Sequence, residues 1–246
     1  MSLSGHRALI TGAGQGIGRA CAEVFAARGA DLVLLDRNRA TLQEVVEKLL
    51  ENGKRAVAVT VDLTDPADLW RGLETVPETG LVDILVNNAG FDRPGTTARI
   101  SGTDLEAVLQ IHLVAPLFLV QRFLPGMRAA RWGRIINVGS IYGLTGAKGQ
   151  LAYSTAKAGL IGFTKAVAKE AGEDGVTVNA VLPGLTRTPT IENFMAQKYK
   201  ERILAGTPLN RMAEPEEIAR VIAFLASDDA SFITAAAIPV SGGWGI

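Results

Sequence analysis

The sequence predicts a doubly wound α/β fold, in which a mostly parallel seven-stranded sheet carries helices on both faces. Short apolar runs rich in Val, Ile and Leu alternate with longer segments of helical periodicity along all 246 residues. The runs are almost continuously apolar, which is typical of parallel strands covered on both sides. No linker, repeat or low-complexity stretch divides the chain, so we expect a single domain over 1–246.

The first half of the chain predicts four strands and four helices. Each strand is a short apolar run, and each helix carries apolar residues at helical spacing. Proline suits the first turn of a helix, as at Pro66, but inside a helix it causes a kink, which we expect near Pro116. The strands are expected at Arg7–Thr11, Asp31–Asp36, Ala56–Val61 and Asp83–Asn87, and the helices at Gly16–Arg28, Arg39–Asn52, from Asp65 onward, and at Thr103–Ala130.

The second half predicts three further strands and two further helices. Strand–helix alternation over the whole chain implies right-handed crossovers within one sheet. The strands are expected at Arg134–Gly139, Val176–Leu182 and Ala236–Val240, and the helices at Leu151–Gly172 and Pro215–Ser227.

Composition and charge argue against several classes of protein. Lys plus Arg and Asp plus Glu each number 25, so we expect no nucleic-acid partner and no anionic membrane partner. No apolar run approaches the ~18 residues of a membrane span, and the N-terminus lacks the apolar core of a signal peptide. The single cysteine, Cys21, cannot form an intrachain disulfide, which fits a reducing cytoplasm. We therefore expect a cytoplasmic protein.

Four glycines, Gly12, Gly14, Gly16 and Gly18, lie between the first predicted strand and the first predicted helix. Glycine permits a tight turn and a close approach of the backbone to a pyrophosphate. The N-terminus of the following helix offers free N–H groups and the positive end of its dipole to the phosphates. A glycine-rich turn alone is a weak signal, but its place between strand and helix favours a dinucleotide site.

Asp36 ends the second predicted strand and indicates which dinucleotide is bound. A carboxylate at this place accepts hydrogen bonds from the adenosine ribose and repels a 2′-phosphate, which favours NAD. Gln15 adds no positive charge to the glycine turn, which also favours NAD. Arg37 could accommodate a phosphate, so NADP is not excluded.

Tyr153 and Lys157 stand four residues apart and therefore on one face of a helix. Ser140 directly follows the fifth predicted strand. A tyrosine and a lysine at this spacing are common by chance. Combined with a dinucleotide turn and Ser140, however, they suggest hydride transfer from a nicotinamide cofactor.

These motifs together resemble the short-chain dehydrogenase/reductase family over essentially the whole chain. The matching segments are the glycine turn, Asn87-Asn88-Ala89-Gly90, the Ser/Tyr/Lys set and Pro183-Gly184. The resemblance implies a Rossmann-type fold and the interconversion of a secondary alcohol and a ketone. The predicted cofactor contacts are Gly12, Gln15, Gly16, Ile17, Gly18, Asp36, Arg37, Asp62, Leu63, Asn88, Ala89, Gly90, Tyr153, Lys157, Pro183, Gly184, Thr186 and Thr188.

The resemblance also assigns roles to the catalytic set. Tyr153 is expected to act as general base for an alcohol or general acid for a ketone, and Ser140 to bind the substrate oxygen. Lys157 is expected to hold the nicotinamide ribose. The Lys157 ammonium and the positive nicotinamide should lower the pKa of Tyr153 from its ordinary ~10.

Two positions depart from the family pattern. Where the family commonly has an asparagine in the long helix, this chain has His112, and where its last motif has a glycine, this chain has Ala235. His112 either relays a proton from Lys157 to water or fills space and satisfies backbone groups in a distorted helix. A metal role is not expected, because His6 is the only other histidine.

The segment 188–212 carries apolar residues at helical spacing. In the family it covers the substrate, although an amphipathic hairpin packed for structural reasons would show the same pattern. The expected lining suggests a medium-sized, largely apolar or aromatic substrate. The predicted substrate contacts are Ser140, Tyr142, Gln150, Tyr153 and Leu185.

The leading hypothesis is an NAD-dependent alcohol dehydrogenase or ketone reductase. The same fold and residues also suit an NADP-dependent 3-oxoacyl reductase or 3-hydroxyacyl dehydrogenase, although Asp36 favours the first hypothesis. A non-enzymatic dinucleotide sensor is a remote alternative, since the full catalytic set is present. The family resemblance further implies a homotetramer in which the two long helices, Thr103–Ala130 and Leu151–Gly172, pair with their copies.

Overall fold

The computed structural model describes residues 1–76 and 80–245 and contains one seven-stranded sheet in the order β3-β2-β1-β4-β5-β6-β7. Every pair of neighbouring strands is parallel. The doubly wound α/β fold predicted from the sequence is therefore confirmed. The strands are β1 Arg7–Thr11, β2 Asp31–Asp36, β3 Ala56–Thr60, β4 Ile84–Asn87, β5 Gly133–Val138, β6 Val176–Pro183 and β7 Ala237–Val240.

Ten α-helices connect or follow these strands in the described part of the chain. They are α1 Gly16–Ala27, α2 Arg39–Glu51, α3 Pro66–Glu74, α4 Gly102–Leu109, α5 Ala115–Ala130, α6 Tyr142–Thr145, α7 Leu151–Ala171, α8 Pro189–Phe194, α9 Gln197–Ala205 and α10 Pro215–Leu225.

Both faces of the sheet are covered by buried apolar side chains. Successive strand residues point to opposite faces, so Ala8 and Ile10 of β1 join one core cluster with residues of α1, α2 and α10. Leu9 between them joins a second cluster with residues of α3, α5 and α7. This double burial explains why the strands are continuously apolar in sequence.

The largest departure from the predicted elements lies in the helix expected at Thr103–Ala130. It is α4 and α5 joined by a π-helical turn at Gln110–Val114. The expected kink therefore precedes Pro116 rather than centring on it. Pro116 has no N–H to donate to the His112 carbonyl four residues earlier, and its ring crowds that carbonyl. The backbone widens instead, and the Ala115 N–H bonds the Gln110 carbonyl oxygen, five residues back.

The remaining departures are small. Several predicted ends are wrong by one or two residues, such as Val61, which lies beyond β3, and Gly139, which lies beyond β5. The short helix α6 was not predicted, because its four residues carry no periodic pattern. The segment 188–212 contains α8 and α9, as its helical spacing indicated.

One helical stretch is long and apolar enough to cross a membrane by length and composition, although polar residues interrupt it and it contains no apolar run of ~18 residues. The helical stretch Gly102–Ala130 has 29 residues and a mean hydropathy of 1.6 in its most apolar window. Half of that window is buried within the fold, and core helices of soluble proteins pass the same test. The stretch is thus weak evidence for membrane contact.

Candidate active site

The carboxyl ends of five strands gather the predicted site residues at one edge of the sheet. From β1 to β3 the chain adds strands toward one edge of the sheet, and from β4 onward it adds them toward the other edge. Such a switch point leaves a crevice for a ligand. The glycine turn follows β1, Asp36 ends β2, and Asn88 follows β4. Ser140 and Gly184 follow β5 and β6 on the other side of the crevice.

The glycine turn has a shape that side chains would prevent. Gly12 and Gly16 adopt φ angles of +65° and +53°, a region that favours glycine. A Cβ on Gly18 would overlap the Gly12 carbonyl oxygen. Helix α1 then begins without a side-chain cap on its first N–H groups and without an acidic residue in its first turn. These free N–H groups fit a pyrophosphate, so the turn fits a dinucleotide.

Thr11 and Asn88 brace the turn from below. The Thr11 hydroxyl accepts hydrogen bonds from the backbone N–H groups of Asn88 and Ala89, both at 2.9 Å. The Asn88 side-chain amide donates to the Thr11 carbonyl at 2.9 Å and to the Gly12 carbonyl at 3.3 Å. Thr11 was not among the predicted site residues, although its place directly before the turn could have identified it. Asn88 thus contributes to the site by fixing the conformation of the glycine turn.

Asp36 lies against the turn from the β2 side. One carboxylate oxygen accepts from the Gly14 N–H and the other from the Asn38 N–H, each at 2.9 Å. The carboxylate remains partly exposed and can bind ribose hydroxyls. Exposed Arg37 lies with its guanidinium carbon 5.9 Å from the centre of the Phe91 ring. The adenosine end of the crevice therefore carries both signs of charge.

Four predicted contacts flank these groups. The Asp62 carboxylate accepts from the N–H and hydroxyl of Thr64 at 2.9 and 2.7 Å, which fixes the loop after β3. Leu63 beside it is buried. On the opposite wall, a Cβ on Gly16 would lie 3.2 Å from the Thr188 methyl, so the segment after β6 closes on the glycine turn.

The predicted catalytic set is assembled by β5 and α7. Tyr153 and Lys157 lie one turn apart on α7, and the buried Lys157 ammonium donates to the Val138 carbonyl of β5 at 2.6 Å. The same nitrogen lies 5.5 Å from the centre of the Tyr153 ring. A Cβ on Gly143 would lie 2.8 Å from the Lys157 carbonyl, so α6 packs closely on this part of α7. Ser140, at the end of β5, is also buried.

Burial dominates the protonation of both catalytic groups. Desolvation raises the pKa of Tyr153 to about 12, although the nearby Ser140 hydroxyl lowers it and the Asp92 charge raises it further. Desolvation lowers the pKa of Lys157 to about 7. The chain's own groups therefore raise the pKa of Tyr153 instead of lowering it, because the desolvation of the phenolate outweighs its stabilisation by neighbouring groups. The lowering expected from a bound nicotinamide stays a prediction. Tyr153 holds its proton at neutral pH.

His112 lies in the π-helical turn and is buried beside the catalytic set. Its Nε2 atom donates to the Phe91 carbonyl at 2.9 Å, and its ring meets the Tyr153 ring edge-on at 5.4 Å between centres. The pKa of His112 lies well below its usual value, mainly because the ring is buried and also because the Lys157 charge is close. The hydrogen bond to the Phe91 carbonyl raises this pKa in part. A Cβ on Gly90 would overlap the His112 ring. The imidazole is thus neutral and tightly enclosed.

The predicted substrate residues line the mouth of the same crevice. The Tyr142 N–H donates to the Ser140 hydroxyl at 3.2 Å, and the Tyr142 ring meets the Trp244 ring edge-on. Gln150 directly precedes α7. Leu185 lies farther out and borders a hollow that it shares with Thr207 and Leu209. Among the described residues, no group of three His, Cys, Asp or Glu could hold a metal ion.

Comparison with known proteins agrees with this geometry. The family model described as enoyl-(acyl carrier protein) reductase matches residues 12–245. A 3-oxoacyl-[acyl-carrier-protein] reductase from Aquifex aeolicus is 41% identical over 251 residues, covering 99% of this chain and 98% of the relative.

Two solved structures add information on the cofactor. A 3-oxoacyl-[acyl-carrier protein] reductase with bound NAD from Brucella melitensis has a TM-score of 0.92 at 31% identity, covering 100% of this chain and 93% of its own. A candidate NAD(P)-dependent gluconate 5-dehydrogenase with bound NADP from Beutenbergia cavernae has a TM-score of 0.93 at 35% identity, with 99% and 98% covered. Similar proteins thus bind either dinucleotide.

We predict that Tyr153→Phe lowers kcat by at least ~10²-fold, the lower range for general acid–base catalysis. The substitution removes the hydroxyl proton and leaves the ring that faces His112. Steady-state kinetics with a ketone substrate, together with cofactor affinity measured by fluorescence, would check this. Near-normal turnover with unchanged cofactor binding would contradict the assigned role of Tyr153.

We predict that Lys157→Met stabilises the cofactor-free protein, and more so at low pH. The lysine's pKa is about 7 in the folded chain against 10.5 as its reference, so the unfolded chain binds more protons between these values. Wild-type stability should therefore rise with pH across this window, and the variant's advantage should shrink by about 3 kcal/mol between pH 6 and 9.5. Urea unfolding of both proteins from pH 6 to 9.5 measures the difference. A constant difference would refute the depressed pKa.

Proposed function

Because this chain belongs to the short-chain dehydrogenase/reductase family, we propose that it reduces 3-oxoacyl thioesters, or oxidises 3-hydroxyacyl ones, with a nicotinamide dinucleotide. The observation that carries this proposal is the full-length similarity to a 3-oxoacyl-[acyl-carrier-protein] reductase at 41% identity. The sequence alone favoured apolar or aromatic alcohols and ketones as substrates. The comparison with relatives favours the 3-oxoacyl alternative instead. An oxidoreductase acting on a C–OH or C=O group is common to both.

In the direction of reduction, Tyr153 supplies the proton. A ketone needs a proton donor as its oxygen becomes an alkoxide, and Tyr153 keeps its proton at neutral pH. Ser140 donates a hydrogen bond to the same oxygen and stabilises its developing charge. Lys157, on the same helix face as Tyr153, stabilises the phenolate that remains. The bound dinucleotide supplies the hydride.

We propose that Asp36 gives the enzyme a preference for NAD over NADP. Its carboxylate is held by two backbone N–H groups and stands where an adenosine ribose would lie. A 2′-phosphate on that ribose would be repelled. Arg37 is near enough to reduce the repulsion, so use of NADP remains within the chemistry of the site.

We propose that His112 positions the catalytic set and does not carry protons through a charged imidazolium. Its pKa lies well below neutrality because it is buried and faces Lys157. Its one ring proton is donated to Phe91, which ties the π-helical turn to the loop after β4. The sequence alone did not decide between this role and a proton relay through His112.

We propose that the chain forms a homotetramer through its two long helical segments. Four small residues of α7, which are Ala158, Gly159, Gly162 and Ala166, are exposed on the described surface. A Cβ on Gly162 would meet no atom within 4 Å. Packing against the chain's own sheet therefore does not account for these small residues, and a second copy could approach closely.

The proposed activity is tested by comparing 3-oxobutanoyl-coenzyme A with an uncharged cyclic ketone. We expect a higher kcat/KM for the thioester, and Tyr153→Phe should lower both activities. A clear preference for the cyclic ketone would overturn the thioester proposal and restore the apolar-ketone hypothesis. Absence of any reduction by the wild-type protein would argue for a non-enzymatic sensor.

We predict that Asp36→Ala raises kcat/KM for NADPH relative to NADH by at least about 10-fold, since the substitution removes one unit charge near the 2′-phosphate. Asp31→Ala is the matched control, because Asp31 lies at the opposite end of β2 and pairs with Arg55. The control should leave the cofactor ratio unchanged. A wild-type protein that already prefers NADPH would show that Asp36 does not set the choice.

We predict a tetrameric mass by light scattering at micromolar concentration. Gly162→Arg should produce smaller species, because the arginine has room within one chain but would obstruct a partner helix. Gly172→Arg, just beyond the end of α7 and equally open, is the control and should stay tetrameric. A monomeric wild-type protein would eliminate the assembly.

A further inference from the structure

Asp92 is an acidic residue beside the catalytic tyrosine that the proposed reaction does not use. It follows Phe91 in the loop after β4, and its charge acts on both Tyr153 and Tyr142. The loop is fastened to the segment before α7, because the Gly95 N–H donates to the Gly149 carbonyl at 2.9 Å and Gly95 pairs with Gln150. Asp92 therefore has a fixed place at the substrate end of the crevice.

Two polar atoms at this place are buried without a hydrogen-bond partner. They are the Oδ1 atom of Asp92 and the Oε1 atom of Gln150. Both are acceptors, and buried acceptors in native proteins are nearly always paired. A hydrogen-bond donor of a bound molecule would give these acceptors a partner.

The charge of Asp92 is only partly compensated within the chain. Burial raises the pKa of Asp92, while Gln150, a backbone N–H and the Arg93 charge oppose this rise. The Arg93 guanidinium itself extends over the Phe91 ring at 4.9 Å and toward Asp104, whose carboxylate lies 3.5 Å away. Arg93 is thus shared with a second acid, and the pocket beside Tyr153 keeps a negative character.

We propose that Asp92, with Gln150, selects substrates that are uncharged at the acyl group and present a hydrogen-bond donor to this wall of the crevice, and rejects free carboxylates. This rests on the proposed function and adds a substrate class to it. A thioester of a carrier arm is uncharged at the acyl group and bears its first amide N–H donor two methylene groups beyond the sulfur. The corresponding free 3-oxo acid places a carboxylate in the same pocket. Asp92 is a specificity-determining residue in this assignment.

The test uses binding rather than turnover, so it does not depend on the proposed reaction. Calorimetry measures the dissociation constants of 3-hydroxybutanamide, methyl 3-hydroxybutanoate and 3-hydroxybutanoate for the protein saturated with NADH. The wild-type protein should bind the amide most tightly and the carboxylate most weakly. Asp92→Asn keeps the shape and removes the charge, and should reduce the preference for amide over carboxylate by at least about 10-fold.

Asp104→Asn is the matched control, because it changes the net charge equally beside Arg93. It should leave the preference unchanged. The inference is overturned if Asp92→Asn keeps the wild-type preference, if Asp104→Asn alters it as much, or if the amide does not bind the wild-type protein measurably. Poor reduction of 3-oxoacyl thioesters with the expected binding pattern would instead reject only the proposed function.

Discussion

The burial of the Lys157 ammonium is the constraint on which the site depends. Its hydrogen bond to the Val138 carbonyl joins the middle of α7 to the end of β5 and so places Tyr153 next to Ser140. A buried cation is costly, and the cost appears in the lowered pKa of this lysine. The same charge lowers the pKa of His112. The burial of one lysine therefore bears both on the position of Tyr153 and on the neutral state of His112.

The π-helical turn at Gln110–Val114 supports this arrangement from the opposite side. Pro116 removes one backbone hydrogen bond of a regular helix at this point, and the wider turn brings the His112 ring under the loop after β4. There the ring occupies the space that a side chain at position 90 would need. A local backbone defect thus fixes the loop that carries Gly90, Phe91 and Asp92. Wide helical turns of this kind are frequent at functional sites.

The sequence predicts the parts of this molecule that depend on local chemistry. Continuous apolar runs identify the seven strands, and the glycines after β1 identify a turn that only glycine can form. The family resemblance pointed to Ser140, Tyr153 and Lys157. Features that depend on burial escaped prediction. The raised pKa of Tyr153 follows from packing by distant segments, and the hydrogen-bond partners of Thr11 become visible only when β1 and β4 lie side by side. The helix distortion lies close to the kink expected near Pro116, but its π-helical form escaped prediction.

The pairing of β1 has a consequence for synthesis on the ribosome. Its residue Ala8 pairs with Leu32 on one side but with Ile84 on the other. As the chain emerges at ~5–20 residues per second, the first two strands can associate several seconds before β4 is available. During that interval one edge of β1 presents unpaired backbone groups and apolar side chains, a template for association with other chains. In a nascent chain of this topology, that edge of β1 therefore stays open until β4 has emerged.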